Sequence, residues 1–259
     1  MENGMSLSTK NLIKEYPYLY ETHLHTSEAS ACARNSAVDM AKSAKEAGYS
    51  GIFVTDHNWG GNTCIHLKLP WDAWVHAFCQ GYREAKEWGD ANDFDVFFGY
   101  EAGYNGTEFL IYGVDEEWMV NHPEIREASV QEQFKLINDA GGMVIHAHPY
   151  REEWYIPDIR LFPEYVNGVE AINATHSNPK STSHNDPMYD INAIEYAKKY
   201  DFPATAGSDI HSVDHFGGGV AFRTRLTSVK DYCERILGRQ DYLLTNGDKW
   251  YDNRCNELV

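Results

Sequence analysis

The stretch YLYETHLH, residues 18–25, starts as an apolar, β-prone run and ends in two histidines. These are His23 and His25, with one residue between them. Because residues two apart on a strand point to the same side, both imidazoles can be directed at one point beyond the apolar run. The stretch therefore predicts a strand that leads into a metal site.

The same arrangement recurs along the chain. Short clusters of histidine and acidic residues follow further apolar runs: Asp56 and His57 after residues 52–54, Glu101 after 96–100, His146 and His148 after 143–145, His176 after 169–172, and Asp209 and His211 after 203–206. Imidazole and carboxylate ligands together suit divalent Zn, Mn or Fe. The recurrence predicts a multinuclear metal site that several strand ends build together.

Helical and strand patterns alternate along the chain. Helical spacing and capping signals predict helices at residues 35–47, 71–88, 129–140, 187–200 and 228–237. Short β-branched or aromatic runs predict strands at 52–54, 96–100, 109–114, 143–145, 169–172, 204–206, 219–226 and 242–245. Such alternation predicts parallel strands with helical crossovers. We expect a closed α/β barrel rather than an open doubly wound sheet, because a barrel brings all the strand ends to one mouth.

The chain has 259 residues and a formal net charge of −17. We expect a single domain over residues 1–259, because α/β barrels of this size commonly form one domain. The acidic balance lacks the electrostatic footprint of a protein that binds long nucleic acid or a membrane surface. An anionic ligand must therefore be captured locally, by metal ions and a few arginines.

Residues 1–20 contain no uninterrupted apolar core of a signal peptide, because Glu2, Lys10, Lys14 and Glu15 interrupt them. No later run has the length of a membrane span, so we predict a cytoplasmic protein. The sequence leaves the oligomeric state open.

Five cysteines are widely spaced and form no C-x-x-C pair. Their odd number and their spacing argue against a disulfide framework and against a zinc finger. We expect reduced thiols with structural roles. A functional role stays open only for Cys32, because it follows the first histidine cluster.

Five motifs of this sequence resemble those of the PHP family, named for polymerase and histidinol phosphatase. They read ETHLHT at residues 21–26, TDHN at 55–58, GYE at 99–101, AHP at 147–149 and GSDIH at 207–211. Their order and spacing agree with the family from about residue 20 to about residue 215. The resemblance implies a distorted TIM-like (β/α)7 barrel with its metal site at the carboxyl ends of the strands. It also implies two or three Mn, Fe or Zn ions, and mostly phosphoester hydrolysis.

The resemblance further implies a set of ligands by position. His23, His25 and Asp209 would hold a first metal, Glu101 would join it to a second, His148 and His176 would complete the second, and His57 and His211 would hold a third. Residues 26–30 depart from the family pattern, which leaves the third position open. Glu28 is the candidate for its missing oxygen ligand, with an exposed loop position as the alternative. His146 stays open between metal binding and a role in the core.

Substrate recognition is predicted to come from arginine, whose planar guanidinium matches two phosphate oxygens. Arg151, at the end of a predicted strand, is the first candidate. Arg34 is the second, and Arg223 with Arg225 on a late strand is the third. Asn173 is a further candidate for ligand binding, with a turn role as the alternative.

The expected chemistry is hydrolysis of a phosphate ester of a small metabolite by a metal-bridging hydroxide. Two divalent ions lower the pKa of the bridging water and neutralise phosphoryl oxygens, so no protein nucleophile is needed. Glu101, Asp209 and Arg151 are the predicted catalytic residues. Asp56 is expected to orient the imidazole of His57 rather than to bind metal.

Three alternatives stay open. A phosphodiesterase or nucleotidase needs room on both sides of phosphorus. An amidohydrolase shares the barrel and the H-x-H pair, but it expects a metal-bridging lysine at a strand end, where this sequence has none. A non-catalytic metal-binding module is expected to lack some of the ligands, and the series here is nearly complete.

Overall fold

The computed structural model describes residues 7–259 as an α/β fold built on one sheet of ten strands. The strands are Tyr18–Glu21 (β1), Gly51–Val54 (β2), Asp95–Tyr104 (β3), Thr107–Tyr112 (β4), Met143–His146 (β5), Gly168–Asn173 (β6), Ala204–Gly207 (β7), Gly218–Phe222 (β8), Tyr242–Asn246 (β9) and Trp250–Asp252 (β10). The α-helices are Leu7–Glu15 (α1), Ala37–Ala47 (α2), Trp71–Phe78 (α3), Gln80–Ala91 (α4), Glu116–Asn121 (α5), Val130–Asp139 (α6), Ala174–Ser177 (α7), Pro187–Tyr200 (α8) and Val229–Leu237 (α9). A 3-10 helix spans Pro123–Arg126.

The strands are ordered β10-β9-β8-β1-β2-β3-β4-β5-β6-β7 in the sheet. Pairing is parallel from β1 to β3 and from β5 to β7. By contrast, β4 is antiparallel to both neighbours, and β8 is antiparallel to β1 and β9. The sheet is therefore mixed, whereas the alternation of strands and helices predicts parallel pairing. The reason at β4 is a two-residue turn, Asn105-Gly106, whose positive φ angles of 49° and 84° reverse the chain directly.

The two ends of the run β1 to β7 meet beyond the regular sheet. Leu24, just past β1, forms an isolated parallel bridge with Ile210, just past β7. The His25 amide donates a hydrogen bond to the Ile210 carbonyl at 2.9 Å. The Thr22 hydroxyl donates to the Ala206 carbonyl at 2.6 Å. These bonds hold the carboxyl ends of β1 and β7 side by side, where the first and last predicted ligands lie.

Helices pack against the strands that they connect, as α2 does against β2, α4 against β3, and α8 against β6. The Ser36 side chain caps α2 by accepting a hydrogen bond from the Asp39 amide, and the helix ends at Gly48, where φ is 96°. A reciprocal pair of hydrogen bonds between Ser129 and Glu132 starts α6. The sequence predicts both of these helix starts, because capping depends only on residues a few positions apart.

Several boundaries differ from the prediction. The helix predicted over residues 71–88 is two helices, α3 and α4, which are separated at Cys79. The strand predicted over residues 219–226 ends at Phe222. The elements α1, α5, α7 and β10 have no predicted counterpart, because each spans nine residues or fewer and a periodic pattern is weak at that length.

The largest buried apolar cluster joins side chains from many strands. Tyr20, Phe53, Leu110, Ile145 and Val169 belong to it and come from β1, β2, β4, β5 and β6. Residues from so many strands can meet only inside the curve of the sheet. Burial of each large apolar side chain contributes about 1.5–3 kcal/mol, so this interior holds the strand ends in place.

Among residues 7–259, no helix combines the length and the apolar character that crossing a bilayer requires. The sequence predicts that residues 1–20 contain no signal peptide. Residues 1–6 of this segment lie outside the described residues. The cytoplasmic location stays a prediction.

Two buried threonines provide a matched test of the contact between β1 and β7. Thr22→Val removes the hydroxyl that donates to Ala206 and should lower the free energy of unfolding by about 1–2 kcal/mol, because a buried carbonyl loses its partner. Thr205→Val makes the same exchange where the buried hydroxyl has no partner, so it should cause no loss. Urea unfolding followed by circular dichroism measures both values. An equal loss in the two variants would contradict the role given to the Thr22 hydrogen bond.

Candidate metal centre

Seven of the predicted ligands come together where β1, β2, β3, β5 and β7 end. They are His23 and His25 after β1, His57 after β2, Glu101 within β3, His148 after β5, and Asp209 and His211 after β7. All are buried except His211, which is partly exposed. Parallel strands end at the same edge of a sheet, and this brings residues that are distant in sequence together.

Glu101 is central because four imidazoles surround its carboxylate. Its Oε1 atom lies 3.2 Å from His23 Nε2 and 3.0 Å from His148 Nε2. Its Oε2 atom lies 2.9 Å from His57 Nδ1 and 3.4 Å from His25 Nε2. The two oxygens thus face different pairs of imidazoles. A carboxylate in this position can offer one oxygen to each of two neighbouring cations.

Asp209 is the second carboxylate of the cluster. Its Oδ1 atom lies 3.2 Å from His25 Nε2 and 3.5 Å from His23 Nε2. Its Oδ2 atom lies 2.6 Å from Arg151 Nη2. The backbone of Asp209 has a φ of 55°, and that of His148 has a φ of 28°. Residues other than glycine adopt such angles at a cost of about 1–3 kcal/mol, which is typical of functional sites.

An imidazole stack forms the side of the cluster nearest solvent. The His25 ring lies between the rings of His57 and His211, with centroid distances of 4.3 and 4.4 Å. Burial lowers the pKa of His25, and the other two rings lower it further, so this imidazole is neutral. The Cys32 thiol is next to the stack. Burial opposes its ionisation, but hydrogen bonds with His211 and His57 lower the pKa of Cys32 to about 7.

Two further glutamates, Glu170 and Glu21, hold the candidate ligands in place through contacts with a ring nitrogen and with backbone amides. Glu170 Oε1 lies 2.8 Å from His23 Nδ1, and Glu170 Oε2 accepts a hydrogen bond from the His148 amide at 3.1 Å. Glu21 Oε1 accepts hydrogen bonds from the amides of His23 at 3.0 Å and of Ser208 at 2.8 Å. The Glu170 contact fixes the ring nitrogen that His23 presents to the cluster, as is common around metal-binding histidines, and the amide bonds hold the backbone beside it.

Several buried atoms of the cluster have no hydrogen-bond partner, namely His23 Nε2, His57 Nδ1 and Glu101 Oε2. Leaving such an atom unpaired costs roughly 1–3 kcal/mol. Four groups of ligand atoms lie within 4.8 Å of one another: His25, His57 and His211; His23, His25 and Glu101; His23, His148 and Asp209; and His57, Glu101 and Glu108. Only some of these donors pair with one another, as His148 Nε2 does with Glu101 Oε1 at 3.0 Å, and such convergence of nitrogen and oxygen donors fits divalent metal ions.

The carboxylates of the cluster are held in the ionised form that metal binding needs. Burial alone would raise the pKa of Glu101, but His23 and His57 hold this pKa well below its usual range. Burial would also raise the pKa of Asp209, but the Arg151 guanidinium holds it well below its usual range. Both side chains are therefore anionic at neutral pH.

His176 lies outside the four groups of convergent donors. Its Nδ1 atom lies 2.8 Å from Asp190 Oδ1, and its Nε2 atom accepts a hydrogen bond from Arg151 Nε at 2.9 Å. Arg151 in turn pairs with Asp209. The structure therefore directs His176 at the guanidinium rather than at another metal-binding donor, which differs from the predicted ligand role.

The other predicted substrate-binding residues have different surroundings. Arg34 is exposed and lines a cavity that Asp209 and His211 also line. Asn173 is buried at the start of α7, where its side chain accepts a hydrogen bond from the Thr175 amide. Arg34 thus faces the mouth of the site, whereas Asn173 has the turn role that the sequence left as an alternative.

Asp56 and Glu28 support the loop between β1 and α2. Asp56 accepts hydrogen bonds at 2.6 Å from the amide and hydroxyl of Thr26 and from the hydroxyl of Ser30. Asp56 therefore holds this loop in place. This differs from the prediction, in which Asp56 orients the imidazole of His57. Glu28 accepts from the Ala37 amide at 3.1 Å and so stabilises the start of α2 instead of reaching the cluster.

Arg223 and Arg225, the third candidate for substrate binding, lie away from the cluster. Arg225 donates to both carboxylate oxygens of Asp95, the first residue of β3. Arg223 pairs with Asp241 just before β9. The start of β3 is the opposite end of that strand from Glu101, so both arginines form ion pairs far from the predicted ligands.

Sequence reasoning misses Glu170 on β6 and Glu108 on β4. Glu108 faces His57 Nδ1 and His148 Nε2, in each case with an oxygen at 3.6 Å. The one available signal is a charged residue inside an otherwise apolar strand, since a buried charge requires a partner. That signal does not say which partner the folded chain supplies.

A cavity of about 570 Å³ opens beside the cluster. Its walls include Glu101, Glu108 and Arg151, together with Trp154 and Tyr155. Trp154 is 92% exposed, so an aromatic side chain stands at the entrance. The volume is in the range of small-molecule sites.

Comparisons with known proteins agree with this description. The model of a PHP-associated family, PHP_C, matches residues 192–240. A two-domain protein from Bacteroides vulgatus, which contains a predicted PHP-like metal-dependent phosphoesterase, is 13% identical with a TM-score of 0.65. That match covers 88% of this chain and 64% of the Bacteroides chain, so this chain spans less than two thirds of that protein.

Two further solved structures share the fold. A candidate metal-dependent phosphoesterase from Bifidobacterium adolescentis is 15% identical, with a TM-score of 0.53 over 85% of this chain and 96% of that chain. An amidohydrolase from Chromobacterium violaceum with bound sulfate is 14% identical, with a TM-score of 0.51 over 74% of this chain and 87% of that chain. No curated protein matches the sequence.

The fold is shared with proteins described as PHP-like metal-dependent phosphoesterases, and the cluster offers nitrogen and oxygen donors that suit divalent metal ions. The family-model match and the solved structures confirm the resemblance to the PHP family. They also agree with the prediction of an enzyme that hydrolyses phosphoesters. At 13–15% identity the likeness to these structures concerns the fold, and the substrate is a separate question.

His146 is packed in the core instead of facing the cluster. Its ring stacks on Phe109 with centroids 4.7 Å apart, and neither ring nitrogen has a hydrogen-bond partner. Burial lowers the pKa of His146 to about 3, so the ring is neutral.

We therefore expect His146→Leu to raise the free energy of unfolding by about 1 kcal/mol, because two unpaired buried nitrogens are removed while the size is kept. Metal content should stay at the wild-type value. Chemical denaturation and elemental analysis of the purified variant test both statements. Loss of a metal equivalent would show instead that His146 is a ligand.

Proposed function

We propose that this protein hydrolyses a phosphate ester of a small metabolite with two or three bound divalent ions, Mn, Fe or Zn. The observation that carries the proposal is the Glu101 carboxylate, whose oxygens face imidazoles on both sides. A bridging carboxylate among imidazoles is typical of sites with two or more ions.

The proposed metal ligands are His23, His25, His57, Glu101, His148, Asp209 and His211, with the third position left open. Bound ions would supply an activated water and would neutralise the phosphoryl oxygens. Glu101 would join two of the positions, and Asp209 would add negative charge that offsets the repulsion between the cations. Glu170 holds His23 in the tautomer that leaves Nε2 free for a cation.

Arg151 is the proposed ligand of the phosphoryl group. It is buried and lines the cavity. It donates a hydrogen bond to His176 and forms an ion pair with Asp209. The His176 imidazole, backed by Asp190, accepts a hydrogen bond from Arg151 Nε and so holds the plane of the guanidinium. A planar fork in this position matches two oxygens of one phosphate.

A phosphodiester or a nucleotide is the alternative substrate. The observation that favours it is the exposed aromatic pair Trp154 and Tyr155 at the cavity entrance, because aromatic side chains can stack on a base. An amidohydrolase activity is less well supported, since the residues that line the cavity include no lysine to bridge two metals. A non-catalytic metal-binding module would not need a buried arginine beside the ligands.

The proposal extends to the architecture and the partners. We infer a distorted (β/α)7 barrel formed by β1 to β7, with Leu24 and Ile210 at its seam. We infer a single domain over residues 1–259 that binds a small phosphorylated substrate and neither long nucleic acid nor a membrane. Oligomeric state is left open.

The first test combines metal content with turnover. Elemental analysis of protein purified without chelators should find two or three Mn, Fe or Zn ions per chain, and the protein should hydrolyse a phosphomonoester faster than a phosphodiester. Glu101→Gln should reduce turnover by at least about a thousandfold and lower the metal content, because the joint ligand is lost. Glu28→Gln is the matched control, since it removes a carboxylate from the neighbouring loop and should keep both values.

A protein that stays free of metal and inactive when Mn or Zn is added would refute the catalytic proposal. Metal binding without hydrolysis of either ester would favour the binding module. A faster reaction with the diester would select the alternative substrate.

A second test concerns Arg151. Arg151→Lys keeps the positive charge but loses the planar fork, so we expect KM for the phosphate ester to rise about tenfold or more, which corresponds to roughly 1.4 kcal/mol. Arg225→Lys makes the same exchange away from the cavity and should leave KM unchanged. Steady-state kinetics of both variants decides the point, and equal KM values for wild type and Arg151→Lys would remove Arg151 from substrate binding.

A further inference from the structure

Two carboxylates and two imidazoles alternate around one point beside the cavity. Glu101 presents one oxygen to His57 at 2.9 Å and the other to His148 at 3.0 Å. Glu108 presents one oxygen to His57 and the other to His148, both at 3.6 Å. Each imidazole nitrogen thus faces an oxygen of both glutamates.

We propose that Glu108 is a metal ligand, and that Glu108, Glu101, His57 and His148 together form one position for a divalent cation. The inference rests on the proposed function only in requiring that the cluster binds divalent metal. It does not depend on the substrate. It also assigns His57 Nδ1 to this position instead of to the stack with His211.

The backbone of the β3–β4 hairpin explains why Glu108 reaches the cluster. Residue Glu101 pairs with Leu110 across the hairpin, and Glu108 pairs with Gly103. Glu108 and Glu101 therefore point to the same face of the sheet, one pleat apart. The residue opposite Glu108 is a glycine, so no side chain stands between the two carboxylates.

The distances in this group are those of donors around a shared ion. With metal–ligand bonds of about 2.0–2.2 Å, two donors on one ion lie about 3–3.6 Å apart. The four distances, 2.9, 3.0, 3.6 and 3.6 Å, are close to this range. The two longer distances exceed those of ordinary hydrogen bonds, so Glu108 is not held in place by pairing with either imidazole.

The charge of the group points the same way. Two carboxylates are placed near each other where solvent access is small, since Glu101 is buried and Glu108 has a side-chain exposure of 12%. Bringing like charges together in such a place is costly unless a cation lies between them. The cavity wall contains both glutamates and His57, so an ion has access from solvent.

A position with two carboxylates offers more oxygen ligands, which are hard ligands, than a position made of imidazoles alone. Oxygen ligands favour Mn²⁺, whereas nitrogen-rich sites suit Zn²⁺. We therefore expect this position to be filled by Mn²⁺ in preference to the position beside the stack of His25 and His211.

The test compares metal binding of the wild type, Glu108→Gln and Glu108→Asp, with Glu28→Gln as the control. Each protein is stripped, titrated with Mn²⁺ by calorimetry, and analysed for metal content after dialysis. Glu108→Gln should lose one Mn²⁺ equivalent per chain or bind that equivalent at least about tenfold more weakly, with the other equivalents kept. Glu108→Asp should recover part of the affinity, because it restores the charge.

Unchanged number and affinity of Mn²⁺ in Glu108→Gln would overturn the inference, because this variant lacks the carboxylate. A second measurement covers a variant that does not fold. Anomalous diffraction from wild-type crystals loaded with Mn²⁺ should find an ion bonded to a Glu108 oxygen, and the presence of ions only elsewhere in the cluster would overturn the inference as well.

The outcomes separate this inference from the proposed function. Metal binding that depends on Glu108, in a protein that hydrolyses no phosphate ester, would refute the proposed function and keep the inference. Hydrolysis by the wild type with unchanged metal binding in Glu108→Gln would do the reverse.

Discussion

The rest of the site depends on one constraint, the negative charge of Glu101. This residue of β3 lies buried among the ends of the neighbouring strands. A carboxylate such as that of Glu101 is costly to bury unless opposite charge or hydrogen bonds compensate for it. Here the surrounding groups are mainly imidazoles, and one carboxylate oxygen and two imidazole nitrogens of the cluster have no hydrogen-bond partner. Asp209 and Glu108 add to the same negative charge. Divalent cations bound among these donors would balance this charge, which is why the geometry suits a metal centre.

Holding these groups at a common point requires β1 and β7 to lie side by side. Glu21 links the two strands by accepting from the amides of His23 and Ser208. Gly207 makes the approach possible, because a Cβ atom at this position would lie 2.5 Å from His23 Cβ. Just beyond, Asp209 has a backbone conformation that residues other than glycine seldom adopt. The contacts across this seam keep that strained turn in place.

The departures from regular strand–helix alternation also affect the site. A two-residue turn makes β4 antiparallel to β3, and the resulting hairpin sets Glu108 on the same face as Glu101. The loop after β5 carries Arg151 back to Asp209 and His176, and it also carries Trp154 to the cavity entrance. The cavity wall thus includes segments with the least periodic sequence, as in barrel proteins whose loops vary over a common frame.

The sequence by itself determined the β/α class, the helix starts at Ser36 and Ser129, and seven candidate metal ligands that the fold brings together. These follow from local rules, since caps, strand periodicity and H-x-H or D-x-H spacing involve residues a few positions apart. Only the tertiary structure decided the partners of His176, Asp56 and Glu28, the core position of His146, and the arrival of Glu108 and Glu170 at the cluster. The physical reason is that a buried charged or polar side chain takes its partner from whichever strand or loop the fold brings next to it, and that neighbour is distant in the sequence.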